Sequence, residues 1–191
     1  MALTNHERVG KALELLRDGL RPFVERELKT CWGEKWPQEV KSVLSDTRLA
    51  GIASEPTADA AGLLVIMDRV WKDVFAMTLG KAERSMVNEL LSVRNEWAHQ
   101  KPFNGDNTYR ALDTMARVLS SISAPQADEV ERAKMELLRV RFDEQARQER
   151  RRSSSISLET PGGRCLEALA RGGQSPQGCG EREVSAGGVS R

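Results

Sequence analysis

Apolar residues recur at helical spacing through four long stretches of this chain, and no window alternates apolar and polar residues with the period of two that a half-buried strand requires. That pattern calls for an all-α fold. Thr4 followed three residues later by Glu7 is a capping-box pattern, so a helix is predicted from Asn5. Val9, Ala12, Leu13, Leu16, Leu20, Phe23, Val24 and Leu28 keep its apolar face in register, while Gly19 and Pro22 predict a kink near Pro22. Residues 31–37 read as a loop bracketed by Trp32 and Trp36, 38–44 as a short helix, and 45–56, which lack periodicity, as a surface connection.

From Ala58 the helical pattern returns. Leu63, Leu64, Ile66, Met67, Val70, Trp71, Val74, Phe75 and Leu79 predict one central core helix, with Gly80 suited to a left-handed stop. Residues 81–102, KAERSMVNELLSVRNEWAHQKP, then form an amphipathic helix burying Ala82, Met86, Leu90, Val93 and Trp97. It ends where Pro102 forbids continuation. After a turn at 104–107, Asp106 or Asn107 is expected to cap a helix carrying Ala111, Leu112, Met115, Val118, Leu119 and Ile122. The expected architecture is an all-α, up-and-down helical bundle of about four long helices over residues 1–125. A charged helical connector follows at 126–152: 15 of the 25 residues from 128 to 152 are charged, and Val130, Leu137, Leu138 and Phe142 give it only a thin apolar seam. Residues 153–191 hold 8 of the 15 glycines and no periodic apolar pattern, so they are expected to be a disordered tail, abrupt enough to read as a frameshifted or truncated end.

Composition narrows the function. With 29 basic against 28 acidic residues the net charge is +1, so no overall field draws in a polyanion and any such site must be a local patch. Three cysteines without a CxxC pair suggest neither a disulfide framework nor a zinc site, and no cofactor or metal is expected. The N-terminus lacks the apolar run of a signal peptide, and the longest apolar run, 63–67, is too short for a membrane. A cytoplasmic protein is expected.

The residues with chemical potential lie at the end of the 81–102 helix. Asn95 and His99 share a face at i, i+4, whereas Arg94 and His99 lie about 140° apart on an ideal helix. The latter two meet at one phosphate only if the helix end unwinds near His99 or if a second copy crosses the first across a two-fold axis. An always-charged arginine suits a phosphorane-like dianion, and a histidine can take a proton from a ribose 2′-hydroxyl or give one to a leaving oxygen. An arginine and a histidine in a last turn also complement the negative helix terminus, which by itself explains both residues. His6, the other histidine, is expected to be exposed, and Trp97 to be a packing residue.

At RNEWAH, residues 94–99, the chain resembles HEPN domains, an all-helical family marked by Arg, a polar residue, and His four to six positions after the Arg. Flanking segments at 5–28, 79–103 and 109–147 are similar to the Swt-type branch, found at the N-terminus of bacterial P-loop ATPases of phage-defence loci. The resemblance implies a metal-independent endoribonuclease that cleaves RNA as a homodimer, with Arg94, Asn95 and His99 catalytic; beside them, Lys101 and Arg110 are expected as auxiliary RNA-phosphate contacts. It equally admits a non-catalytic HEPN module that binds RNA or a defence-system ATPase partner, or a truncated remnant of such an ATPase. Lys101 stands where HEPN toxins silenced by nucleotidyltransferases have a tyrosine, so that mode of silencing is not expected. No GxxxxGK[ST] loop is present, so this chain is not itself the ATPase.

Overall fold

The computed structural model of the chain describes residues 3–44 and 57–156, and among them there are helices and turns but no strand. Six α-helices follow in order: α1 (Asn5–Trp32), α2 (Trp36–Val43), α3 (Ala60–Arg69), α4 (Lys81–Ala98), α5 (Gly105–Ser121) and α6 (Ala127–Ile156). The chain divides into two compact units, Met1–Gln148 and Glu149–Arg191. Of the second, only the helical residues 149–156 are described, so the expected tail lies outside the described residues from 157 onward, as does the connection at 45–56.

The capping box forms as expected. The Thr4 hydroxyl accepts from the Glu7 N–H at 3.2 Å, and the Glu7 carboxylate accepts from the Thr4 N–H at 2.8 Å. Those hydrogen bonds hold the Glu7 carboxyl below its ordinary pKa. α1 then continues through Pro22 to Trp32, and a single 3₁₀ turn at Gly33–Lys35 separates it from α2, so Cys31 and Trp32 are helical rather than looped. Gly19 has a packing reason. A Cβ there would lie 2.4 Å from a Leu119 methyl, so the missing side chain is what lets α5 approach α1.

The predicted core helix from Ala58 to Leu79 is divided. α3 stops at Arg69, and Trp71–Phe75 form a π turn closed by Ala76 N–H donating to Trp71 C=O at 2.8 Å. The sequence contains the cause. Leu63, Met67, Trp71, Phe75 and Leu79 repeat every four residues, and a 3.6-residue helix would drift steadily off that face. Widening one turn keeps Trp71, Val74 and Phe75 buried together. Gly80 is not left-handed; with φ −90° and ψ −178° it is extended, and it precedes α4 with its N–H donating to the Glu83 carboxylate.

α1 packs against α3 and α5, and α4 against α3 and α5, closing a four-helix core. Their directions follow from the long-range bonds: Asn5 reaches Phe103, Gly19 approaches Leu119, and Thr78 reaches Glu27. α1, α3 and α5 therefore run one way and α4 the other: the expected all-α bundle is present, with α1 and α3 parallel rather than alternating. Phe75, Leu16, Leu20, Leu63, Leu90, Leu112 and Met115 are among its fully buried side chains, each contributing about 1.5–3 kcal/mol by burial.

The charged segment after Pro125 is more than a solvated connector. Val130 and Leu137 of α6 are buried with the core of the bundle, and three ion pairs tie their helix down. Arg8, itself buried in α1, pairs with Glu136 at 3.5 Å; Lys134 pairs with Asp113 of α5 at 3.0 Å; Arg141 pairs with Asp106. α6 thus runs antiparallel to α5. Burial of Lys134 opposes its charge, but hydrogen bonds to Glu131 and Asp113 outweigh that and raise its pKa above 10.5. A raised folded-state value means that this contribution is complete below the unfolded pKa and lost as pH rises through the folded one. Lys134→Met is therefore expected to cost about 1–2 kcal/mol at neutral pH, as read from urea midpoints, and less as pH rises through the raised folded-state pKa.

Candidate functional site

The end of α4 is built by its own sequence. Ala98 is the last helical residue, and His99 is the C-cap, with its N–H donating to Asn95 C=O at 3.0 Å. Gln100 then turns left-handed, with φ 56°; its N–H donates to Trp97 C=O at 3.1 Å, and the Lys101 N–H donates to Glu96 C=O at 3.1 Å. These two bonds make a Schellman ending, with Pro102 immediately behind it. Glutamine is an uncomfortable residue at such a position, because its Cβ crowds the carbonyl oxygen. Gln100→Gly is expected to raise stability by about 1 kcal/mol in urea unfolding, since Gln100 is exposed and loses only that strain.

His99 therefore keeps its helical hydrogen bond, and unwinding starts one residue too late to carry it round to Arg94. Of the two routes by which the sequence could unite Arg94 and His99, the single chain does not take the first. Arg94 is half-buried on another face, where its guanidinium donates to Asp59 at 3.3 Å beside a cleft of about 160 Å³ lined by Gly10, Leu13, Arg17 and Trp97. His99 is exposed, and its ring has no hydrogen-bond partner among the described residues. Asn95, also exposed, shares the His99 face.

Lys101 is exposed and sits 3.8 Å from Glu96. Arg110, on α5, is paired with Glu89 of α4, which lies ten residues before His99 and so about 15 Å along the helix. Lys101 thus shares the end of α4 with His99, and Arg110 lies toward its middle. The expected burial along α4 shifts too: Val87 and Leu90 are buried, Met86, Val93 and Trp97 are half-buried, and Ala82 is exposed. The N-cap of α5 is Asn104, whose side chain accepts from the Asn107 N–H at 2.7 Å, in place of Asp106 or Asn107.

Two residues at the site escaped the sequence reading. Asp59 caps α3 by accepting from the Gly62 N–H at 2.8 Å with one carboxylate oxygen, and holds Arg94 with the other. An aspartate directly ahead of the apolar run AAGLLVIM was a legible cap signal, obscured by starting that helix at Ala58. The second is His6, which is half-buried rather than exposed. Its ring stacks on Trp97 at 5.4 Å between centroids with planes 16° apart. Nothing local announced that contact.

Among the described residues no group of three or more His, Cys, Asp or Glu side chains could hold a metal ion, and no helix is long and apolar enough to cross a membrane. No curated protein matches the chain, and no solved structure does. A family model described as Swt1-like HEPN matches residues 11–123, more than half of the chain, from the second turn of α1 to just beyond α5 and across the whole Arg94–His99 stretch. With an all-helical bundle around that stretch as well, the chain belongs to the Swt1-like HEPN family.

Proposed function

We propose that this protein is a cytoplasmic endoribonuclease of a bacterial defence or stress system, which cuts RNA as a homodimer without a metal ion. The observation that carries the reading is the division of the motif between two faces of α4: an exposed imidazole at its end, without a partner among the described residues, and an arginine held on another side by Asp59. A second copy related by a two-fold axis supplies each face with what it lacks. In that composite cleft His99 removes the proton of a ribose 2′-hydroxyl, whose oxygen attacks the adjacent phosphorus. The bond from phosphorus to the 5′-oxygen breaks, a 2′,3′-cyclic phosphate forms, and the departing oxygen takes a proton from solvent. Arg94 leaves Asp59 to stabilise the dianionic transition state, Asn95 orients the phosphate or ribose, and Lys101 and Arg110 contact flanking phosphates. RNA incubated with the full chain in EDTA is expected to yield 2′,3′-cyclic phosphate ends; uncut RNA, or 3′-hydroxyl ends, overturns the reading.

A second reading is a non-catalytic module that docks on a larger defence ATPase. It is favoured by Met135 and Phe142 of α6, seven residues apart on one face and respectively 45% and 66% exposed. It prevails if no RNA is cut and if capture of such an ATPase survives both Arg94→Ala and His99→Ala.

A further inference from the structure

The first turn of α1 makes an unusual set of contacts with a segment almost a hundred residues away. His6 Nε2 lies 3.1 Å from the Trp97 carbonyl, which can only accept, so Nε2 carries the proton and donates it. In return the Trp97 indole N–H donates to the His6 carbonyl at 3.2 Å, with the two rings stacked. One residue earlier, the Asn5 amide donates to the Phe103 carbonyl at 3.0 Å. Gly10, a turn further on, lets the indole settle against α1: a Cβ there would lie 3.1–3.3 Å from its Nε1, Cζ2 and Cε2 atoms.

These bonds grip the backbone at Trp97 and at Phe103, on either side of residues 98–102. Trp97 C=O and its neighbours belong to the last turn of a helix, where the chain frays most readily. The gripped stretch contains the exposed His99 and the left-handed Gln100, whose strain favours opening. Among the described residues, His99 is held by nothing beyond its backbone bond to Asn95. Asn5 and His6 precede the residues matched by the family model, so the family likeness does not supply this contact.

We infer that Asn5 and His6 are positioning residues: they form a clasp that fastens the Trp97–Phe103 turn and so sets where the His99 imidazole stands. Its functional consequence rests on the nuclease reading, but the clasp itself is a statement about backbone order. His6→Phe keeps a stacking ring and removes the donor; His6→Gln keeps a donor at similar reach and removes the ring. Hydrogen exchange of the full chain by NMR is expected to show the His99, Gln100 and Lys101 amides exchanging about tenfold faster in His6→Phe, with Leu112 and Met115 unchanged, and protection regained in His6→Gln. Asn5→Ala is expected to loosen the same amides to a smaller degree, and it decides the matter if His6→Phe does not fold. On RNA, His6→Phe is expected to lower kcat by about 10- to 100-fold at constant KM, with His6→Gln recovering most of it.

Protection at 99–101 equal to wild type in His6→Phe and Asn5→Ala overturns the clasp, and so does loosening spread over the whole bundle. Faster exchange at those amides with kcat unchanged overturns the positioning role. If the wild-type chain cuts no RNA, it is the nuclease reading that fails, and the exchange arm still decides whether the clasp exists.

Discussion

An equal mixture of Arg94→Ala and His99→Ala chains, unfolded and refolded together, is expected to recover about a quarter of wild-type RNA cleavage. Each variant alone is expected to fall by about 10²–10⁴-fold, the range associated with removing a positioned acid–base group. The recovery follows from symmetry. Random pairing makes half of the dimers mixed, and in each of these one of the two crossings joins an intact Arg94 to an intact His99 from the other chain. A mixture as inactive as its components rules out a shared site, and full activity in His99→Ala removes the histidine from the mechanism. The His99→Ala outcome cannot be confused with misfolding. His99 is exposed and its ring is without a partner among the described residues, so its truncation should change unfolding free energy by no more than about 0.5 kcal/mol.

Leu137→Ala is expected to destabilise the chain by about 3 kcal/mol, read as a lowered urea midpoint with an unchanged slope. Leu137 is 3% exposed and lies in the same core as Leu16 and Met115, so its truncation leaves a cavity that the surrounding helices fill only in part. Phe142→Ser, five residues on and on another face of α6, provides the contrast. Phe142 is 66% exposed, and its loss should shift stability by less than about 0.5 kcal/mol. Equal and small effects would mean that α6 rides on the bundle through its ion pairs alone.

Much of the fold could be read from local pattern. The Thr4–Glu7 box, the apolar faces of α1 and α5, and the stop of α4 ahead of Pro102 all depend on residues within a turn or two of each other, and all are found. Misreadings arise where a local pattern had two solutions. A four-residue apolar repeat through Trp71 to Leu79 suits a straight helix poorly and a π turn well, and only the shape of the core chooses. A helix with 15 charges in 25 residues looks solvated until Asp113 and Arg8 stand opposite Lys134 and Glu136. Charge count cannot say which charges have partners.

The same division runs through the site. The sequence by itself determined the types and order of the reactive residues, Arg94, Asn95 and His99, and the fact that one ideal helix keeps Arg94 and His99 about 140° apart, because side-chain direction on a helix follows from its 3.6-residue period. The tertiary structure decided what each residue faces. Asp59 reaches Arg94 across 35 positions, and His6 reaches Trp97 across 91. Such separations leave no local trace, since those contacts exist only once the packing of α1, α3 and α4 has brought distant turns together. It also decided that unwinding begins at Gln100 rather than at His99, because the helical bond from His99 to Asn95 survives to the last residue that could break it.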